Sequence, residues 1–164
     1  MRKIRTRIFE TNSSSVHCIC IAKGEIDSLS IPTNISARFG EFGWESEYYW
    51  LDYEKLSYLC TMIFEVSPSK FEKLCNILAR NGVMLRDLKM IGDEWHPLGY
   101  IDHGDNWVDT LDKLMDDEDM LMRFLFNDKS YVETGNDNDD SVDELYEHAD
   151  QAERDGSTVF VKGN

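Results

Sequence analysis

The chain has 164 residues, with 17 Lys or Arg against 32 Asp or Glu and a formal net charge of −15. That balance repels nucleic acid and anionic membranes and attracts basic protein surfaces. Hydrophobic residues at 41% and aromatics at 12% exclude a disordered acidic tail, and no apolar run approaches the ~20 residues of a membrane span.

In chain order, the basic start Met1–Arg7 is followed by no signal-like apolar stretch. Ile4–Glu10 reads as a first strand. Val16–Ala22 is nearly all apolar and β-branched, which predicts a second strand covered on both faces. Between them, the small hydroxyl and amide side chains of Thr11–Ser15 predict a turn or tight loop. Pro32, Gly40 and Gly43 mark a less regular stretch with a strand near Ser36–Phe42. Tyr53, Leu56, Leu59, Cys60, Ile63 and Phe64 recur at helical spacing and predict a helix from about Asp52 to Glu65. Ser67-Pro68 should cap and open another, closing before Asn81-Gly82. Val83–Ile91 reads as a strand, and Gly92–Asn106 as loop. Trp107–Phe126 reads as one broken helix or two short ones, and Ser130–Glu133 as a short strand. Gly135–Asn138 reads as a turn. Ser141–Glu144 fits a capping box for a helix to about Arg154, and Ser157–Lys162 is the final strand. Strands and helices mix without regular alternation. The expected class is α+β, a mixed or antiparallel sheet packed by several helices in a single domain spanning 1–164.

Charge is unevenly distributed along this order. Residues 1–92 hold 12 Lys+Arg and 11 Asp+Glu, a balance of +1; residues 93–164 hold 5 and 21, a balance of −16, and the two sum to −15. Two segments carry most of the excess, Asp109–Asp119 and Asp139–Asp155. Carboxylates arrayed on rigid helices can imitate duplex phosphates, which carry one charge per ~1.7 Å of axis.

Cys18, Cys20, Cys60 and Cys75 fall in apolar patterns and read as four buried reduced thiols, since zinc would require a tighter pair and a second pair. His17 shares a strand face with Ile19 and Ile21, so an interior histidine competes with a base beside Ser13, Ser14 or Ser15. No Gly-x-Ser-x-Gly elbow surrounds those serines. His96, Asp102, His103 and Asp105 form the densest set of potential ligands, but their order matches no standard metal motif. The Gly135–Asp140 run fails as a calcium loop: Val142 stands where the turning glycine belongs and His148 where a bidentate Glu belongs. Phe42, Trp44, Tyr48, Tyr49, Trp50 and Tyr53, interleaved with Glu41, Glu45 and Glu47, suit core packing or a protein-binding patch better than a nucleic-acid platform.

The block Phe9–His17 resembles a group of small bacteriophage and mobile-element proteins carrying Thr-Asn-Ser-Ser-Ser-x-His near the start. Weaker similar pieces are Gly43-Trp44-Glu45, Tyr58-Leu59, Ile101-Asp102-His103 and Thr134–Asp137. The resemblance implies phage origin and a cytoplasmic setting in an infected bacterial host. It implies no particular activity. Convergence of its blocks would favour an enzyme or ligand site including Asn12, Ser13, Ser14, Ser15, His17, Asp102, His103 and Asn136.

The leading expectation is an acidic, non-enzymatic inhibitor of anti-CRISPR or anti-restriction type. It would bind a basic host-defence protein and occlude its nucleic-acid surface, with no cofactor or metal. Its docking carboxylates would be Asp112, Asp116, Asp117, Glu118, Asp139, Asp140, Asp143, Glu144 and Glu147. A second expectation is a small enzyme acting on a nucleotide or phosphorylated compound through His17 or His103, with an ADP-ribose-type transferase using Glu133 as its least developed form. A third is a phage structural or assembly protein using the aromatic cluster.

Overall fold

The computed structural model describes residues 15–43, 45–89, 99–102, 107–136 and 141–163. Among these, the order is β1 (Ser15–Ile21), β2 (Asn34–Arg38), β3 (Glu41–Phe42), β4 (Glu47–Tyr49), α1 (Asp52–Val66), α2 (Phe71–Arg80), β5 (Met84–Lys89), β6 (Tyr100–Ile101), α3 (Val108–Asp116), α4 (Glu118–Phe126), β7 (Tyr131–Asn136), α5 (Ser141–Arg154) and β8 (Thr158–Lys162). The class is α+β, as the pattern predicts. The expected strand over Ile4–Glu10 and residues 11–14 of the expected Thr11–Ser15 turn lie outside the described residues, whereas Ser15 belongs to β1, paired with Asn136.

β1 is buried along all seven residues. It runs inside a four-stranded sheet of order β4–β7–β1–β8, in which each neighbouring pair is antiparallel. Side chains alternate across a strand, so β1 feeds two cores. Ile19 and Ile21 pack with Leu56, Leu59 and Ile63 of α1, Leu114 of α3 and Leu125 of α4. Val16 and Cys18 point the other way, against Leu145 and Ala149 of α5, with Val159 and Val161 of β8 alongside. Each such aliphatic side chain stabilises the fold by about 1.5–3 kcal/mol relative to exposure. α1 and α5 thus lie on opposite faces of one sheet.

α1 is buried continuously from Lys55 to Ile63, more than a one-sided stripe provides, because other elements surround it. The exception in chemistry is Lys55. Its ammonium donates to the Asn127 carbonyl at 2.8 Å and lies 3.8 Å from Asp52. Burial pulls its pKa down, against the opposing pull of Asp52. α1 and α2 form the crossover that a parallel pair requires, carrying the chain from β2 to its parallel partner β5. At the expected stop, Asn81 donates its side-chain amide to the Ile77 carbonyl and Gly82 takes φ +76°.

Several expectations need correction. The stretch near Ser36–Phe42 is two strands, because β2 pairs with β5 and β3 with β6. β6 lies within the expected Gly92–Asn106 loop. It is positioned by Gly99, whose φ is +67° and where a Cβ would fall 2.0 Å from the Gly40 carbonyl oxygen. Ser67 makes no side-chain cap; Pro68–Lys70 forms a 3-10 turn ahead of α2. Gly135 and Asn136 belong to β7 instead of a turn, since pairing with Val16 and Ser15 outweighs local turn preference. Cys18, Cys20 and Cys60 are buried free thiols as expected, whereas Cys75 is half-buried.

Burial raises the pKa of Cys18, Cys20, Tyr58 and Tyr131, and pushes Cys60 up to about 12. The folded state therefore retains protons that the unfolded chain releases above about pH 8.5 for thiols and about pH 10 for tyrosines. Their stabilisation is complete below those values and is lost as pH rises toward the folded-state values. Lys55 has the opposite sign, because its depressed pKa makes the unfolded chain the better proton binder. With these five groups against one, urea midpoints from about pH 7 to about pH 11 should fall steadily above about pH 8.5; a flat or rising profile would contradict this burial.

Candidate functional site

Among the described residues, the carboxylates expected to dock a partner do not form one patch. α2 and the turn that precedes it set three cations against the α3–α4 segment. Lys70 meets Asp112 at 2.6 Å, Lys73 meets Asp116 at 2.7 Å, and Arg80 meets Glu118 at 2.5 Å. Hydrogen bonding and charge from Lys73 lower the Asp116 pKa, and Arg80, with Asn81, lowers that of Glu118. Asp117 accepts the Met120 N–H at 2.8 Å and caps α4. Asp112, Asp116, Asp117 and Glu118 are therefore already engaged inside the chain.

Asp143, Glu144 and Glu147 lie beyond the sheet on α5. They are exposed and enter no ion pair among the described residues. Tyr146 stands among them at 47% exposure. Asp139 and Asp140 lie outside the described residues. Among the described residues, the sheet separates a segment paired with cations from a helix whose Asp143, Glu144 and Glu147 enter no ion pair.

The described members of the polar blocks do converge. Ser15 pairs in register with Asn136, and His17 with Thr134; residues directly opposite in an antiparallel pair share a face. His17 is 1% exposed. Its Nε2 lies 3.2 Å from Ser15 Oγ and its Nδ1 3.0 Å from the Tyr58 hydroxyl. Ser15 Oγ donates to the Asp102 carbonyl at 3.3 Å. Gly43, at φ +103°, admits the imidazole, because a Cβ there would come within 2.6 Å of Cε1 and Nε2 and 3.1 Å of Asp102 Cβ. Trp107 stands edge-on to His17 at 6.2 Å. Its buried Nε1–H has no hydrogen-bond partner among the described residues.

Proton placement follows from satisfying the donors. Ser15 gives its hydrogen to Asp102, so His17 Nε2–H donates to Ser15 and the Tyr58 hydroxyl donates to Nδ1. Reversing the chain would leave the fully buried Tyr58 O–H with no acceptor among the described residues. A serine activated by His17 needs that reversed order. As placed, this is a neutral histidine anchored at both nitrogens. Asn12, Ser13, Ser14 and His103 lie outside the described residues, as do His96 and Asp105. Among the described residues no group of His, Cys, Asp and Glu is arranged to hold a metal ion.

Sequence reasoning missed Glu133 with His148 as a pair. Glu133 is a buried carboxylate on β7, and its Oε1 lies 2.9 Å from His148 Nδ1 on α5. An acid on a strand and a histidine fifteen positions later carry no joint signature. Of the aromatic segment, Phe42 enters the core while Tyr48, Trp50 and Tyr53 are about half exposed. No family model, curated protein or solved structure matches the chain.

Replacing Tyr58 with Phe removes the donor to a buried Nδ1 and should cost about 1–3 kcal/mol of stability. Long-range ¹H–¹⁵N spectra of the wild type should show the neutral Nε2–H tautomer of His17; a dominant Nδ1–H form would overturn the assigned chain.

Proposed function

We propose that the protein is a phage or mobile-element inhibitor that binds a basic nucleic-acid-binding defence protein through α5. The observation that carries this reading is the row Asp143, Glu144 and Glu147, exposed on a packed helix, in no ion pair among the described residues, and flanking the half-exposed Tyr146. Uncompensated charge on a rigid element steers a cationic partner, and an aromatic side chain among the charges supplies apolar contact. The α3–α4 carboxylates contribute less, since three of them would have to leave Lys70, Lys73 and Arg80 before meeting another cation.

A panel of CRISPR effectors and restriction enzymes, assayed for DNA binding with and without the protein, tests this directly. The α5 variant D143K/E144K/E147K should lose at least about tenfold in inhibitory potency, and wild-type inhibition should weaken as salt rises. The α3–α4 variant D112K/D116K/E118K should retain most inhibition. Full potency in the α5 variant, with its fold intact, would refute the reading.

The meeting of distant polar blocks at His17 favours a second reading, an enzyme acting on a nucleotide or phosphorylated compound. A folded His17→Ala protein that keeps partner binding but loses its biological effect would transfer the assignment to that centre.

A further inference from the structure

Among the described residues, α5 is the one helix on its face of the four-stranded sheet. A helix with its side chains is ~10–12 Å across, whereas the outer strands of a four-stranded sheet lie about 14 Å apart at ~4.8 Å per step. α5 packs against β1, β7 and β8, and the end of β1, the start of β7 and Tyr48 of β4 remain beside it. The resulting cleft, about 660 Å³, is lined by residues including Cys20, Lys23, Tyr48, Lys129, Tyr131 and His148.

We propose that this cleft binds a nucleoside phosphate, the base stacking on Tyr48 and the phosphate held by Lys23 and Lys129. Tyr48 and Tyr131 are stacked, with ring centroids 4.6 Å apart and an interplanar angle of 29°. Tyr131 is buried and Tyr48 is 51% exposed, so the pair forms a supported aromatic surface. Stacking of this kind accepts any base. Lys23 and Lys129 enter no ion pair among the described residues, although the chain carries a net charge of −15. Lys23 lies over the turn at Gly156, where a Cβ would fall 2.1 Å from its Nζ, so the turn leaves space for its ammonium beside the cleft.

The third wall supplies a polar group. His148 Nδ1–H donates to Glu133, whose oxygens lie at 2.9 and 3.1 Å. The histidine side chain is 56% exposed and the carboxylate 10%. The buried acid fixes the ring and leaves Nε2 as the unused nitrogen on the cleft wall. Asp155, the acid that lines the cleft, accepts from Gln151 at 3.1 Å. Two lysines and one histidine suit a mononucleotide; a polyanion would also have to approach the carboxylates of α5. The site is independent of His17 and does not use Asp143, Glu144 or Glu147.

The experiment titrates the full chain with the four common ribonucleoside 5′-monophosphates by calorimetry and NMR, with inorganic phosphate and the free nucleosides as separate arms. The monophosphates should bind more tightly than either fragment, with shift changes at Tyr48, Tyr131 and His148. Tyr48→Ala should weaken binding about tenfold. Lys23→Ala with Lys129→Ala should reduce affinity and its salt dependence, whereas Tyr53→Ala should leave both unchanged. Absence of binding at millimolar monophosphate, or binding indifferent to the Tyr48 and lysine substitutions, would overturn the proposal while leaving the inhibitor reading untouched.

Discussion

The structure rests on burying one strand on both faces. β1 hydrogen-bonds to β7 and β8 and separates two apolar cores. One face meets α1 and the α3–α4 pair, and the other meets α5. Adjacent residues consequently enter different environments: His17 joins a polar chain with Tyr58, while Cys18 packs beside Leu145. The same partition decides the electrostatics, since a sheet stands between the two acidic segments.

α2 compensates one of those segments. Lys70 from the turn before it, with its own Lys73 and Arg80, comes from the half of the chain that is nearly neutral overall and pairs with acids of the other half. Such exposed pairs are each worth little, about 0–1 kcal/mol. Their larger effect is on the surface field, because they cancel charge where α3 and α4 would otherwise project it. Among the described residues, α5 keeps Asp143, Glu144 and Glu147 out of ion pairs, with Arg154 3.9 Å from Asp150 near its end.

Most of the fold was legible in the sequence because its signals were periodic. β1 announced itself by an apolar β-branched run, α1 and α2 by helical spacing, and α5 by its acidic first turn. Composition misled where pairing decided the outcome, as at Gly135 and Asn136, whose backbone is held by β1. The polar centre was half legible: Ser15, His17, Gly43, Tyr58, Asp102 and Asn136 belong to the noted blocks, but nothing in the sequence gives Tyr58 a polar partner, since its spacing is that of the core positions around it. Trp107 gave no signal beyond the start of a helix. The cleft beside α5 was not legible, since it depends on the width of a helix laid across four strands. The ion pairs were hidden for a similar reason, because linear charge counts do not say which helix lies beside which.

The partners of β1 lie far away along the chain, from 111 residues for Cys20 and Tyr131 to 145 for His17 and Lys162. A growing polypeptide can assemble α1 and α2 early, but β1 gains neither neighbour until residues beyond 130 have emerged. High contact order of this kind slows folding, because the entropy of closing long loops is lost before the contacts form. Until then the apolar strand keeps both edges unpaired, and its last ladder closes only with the arrival of Thr158–Lys162.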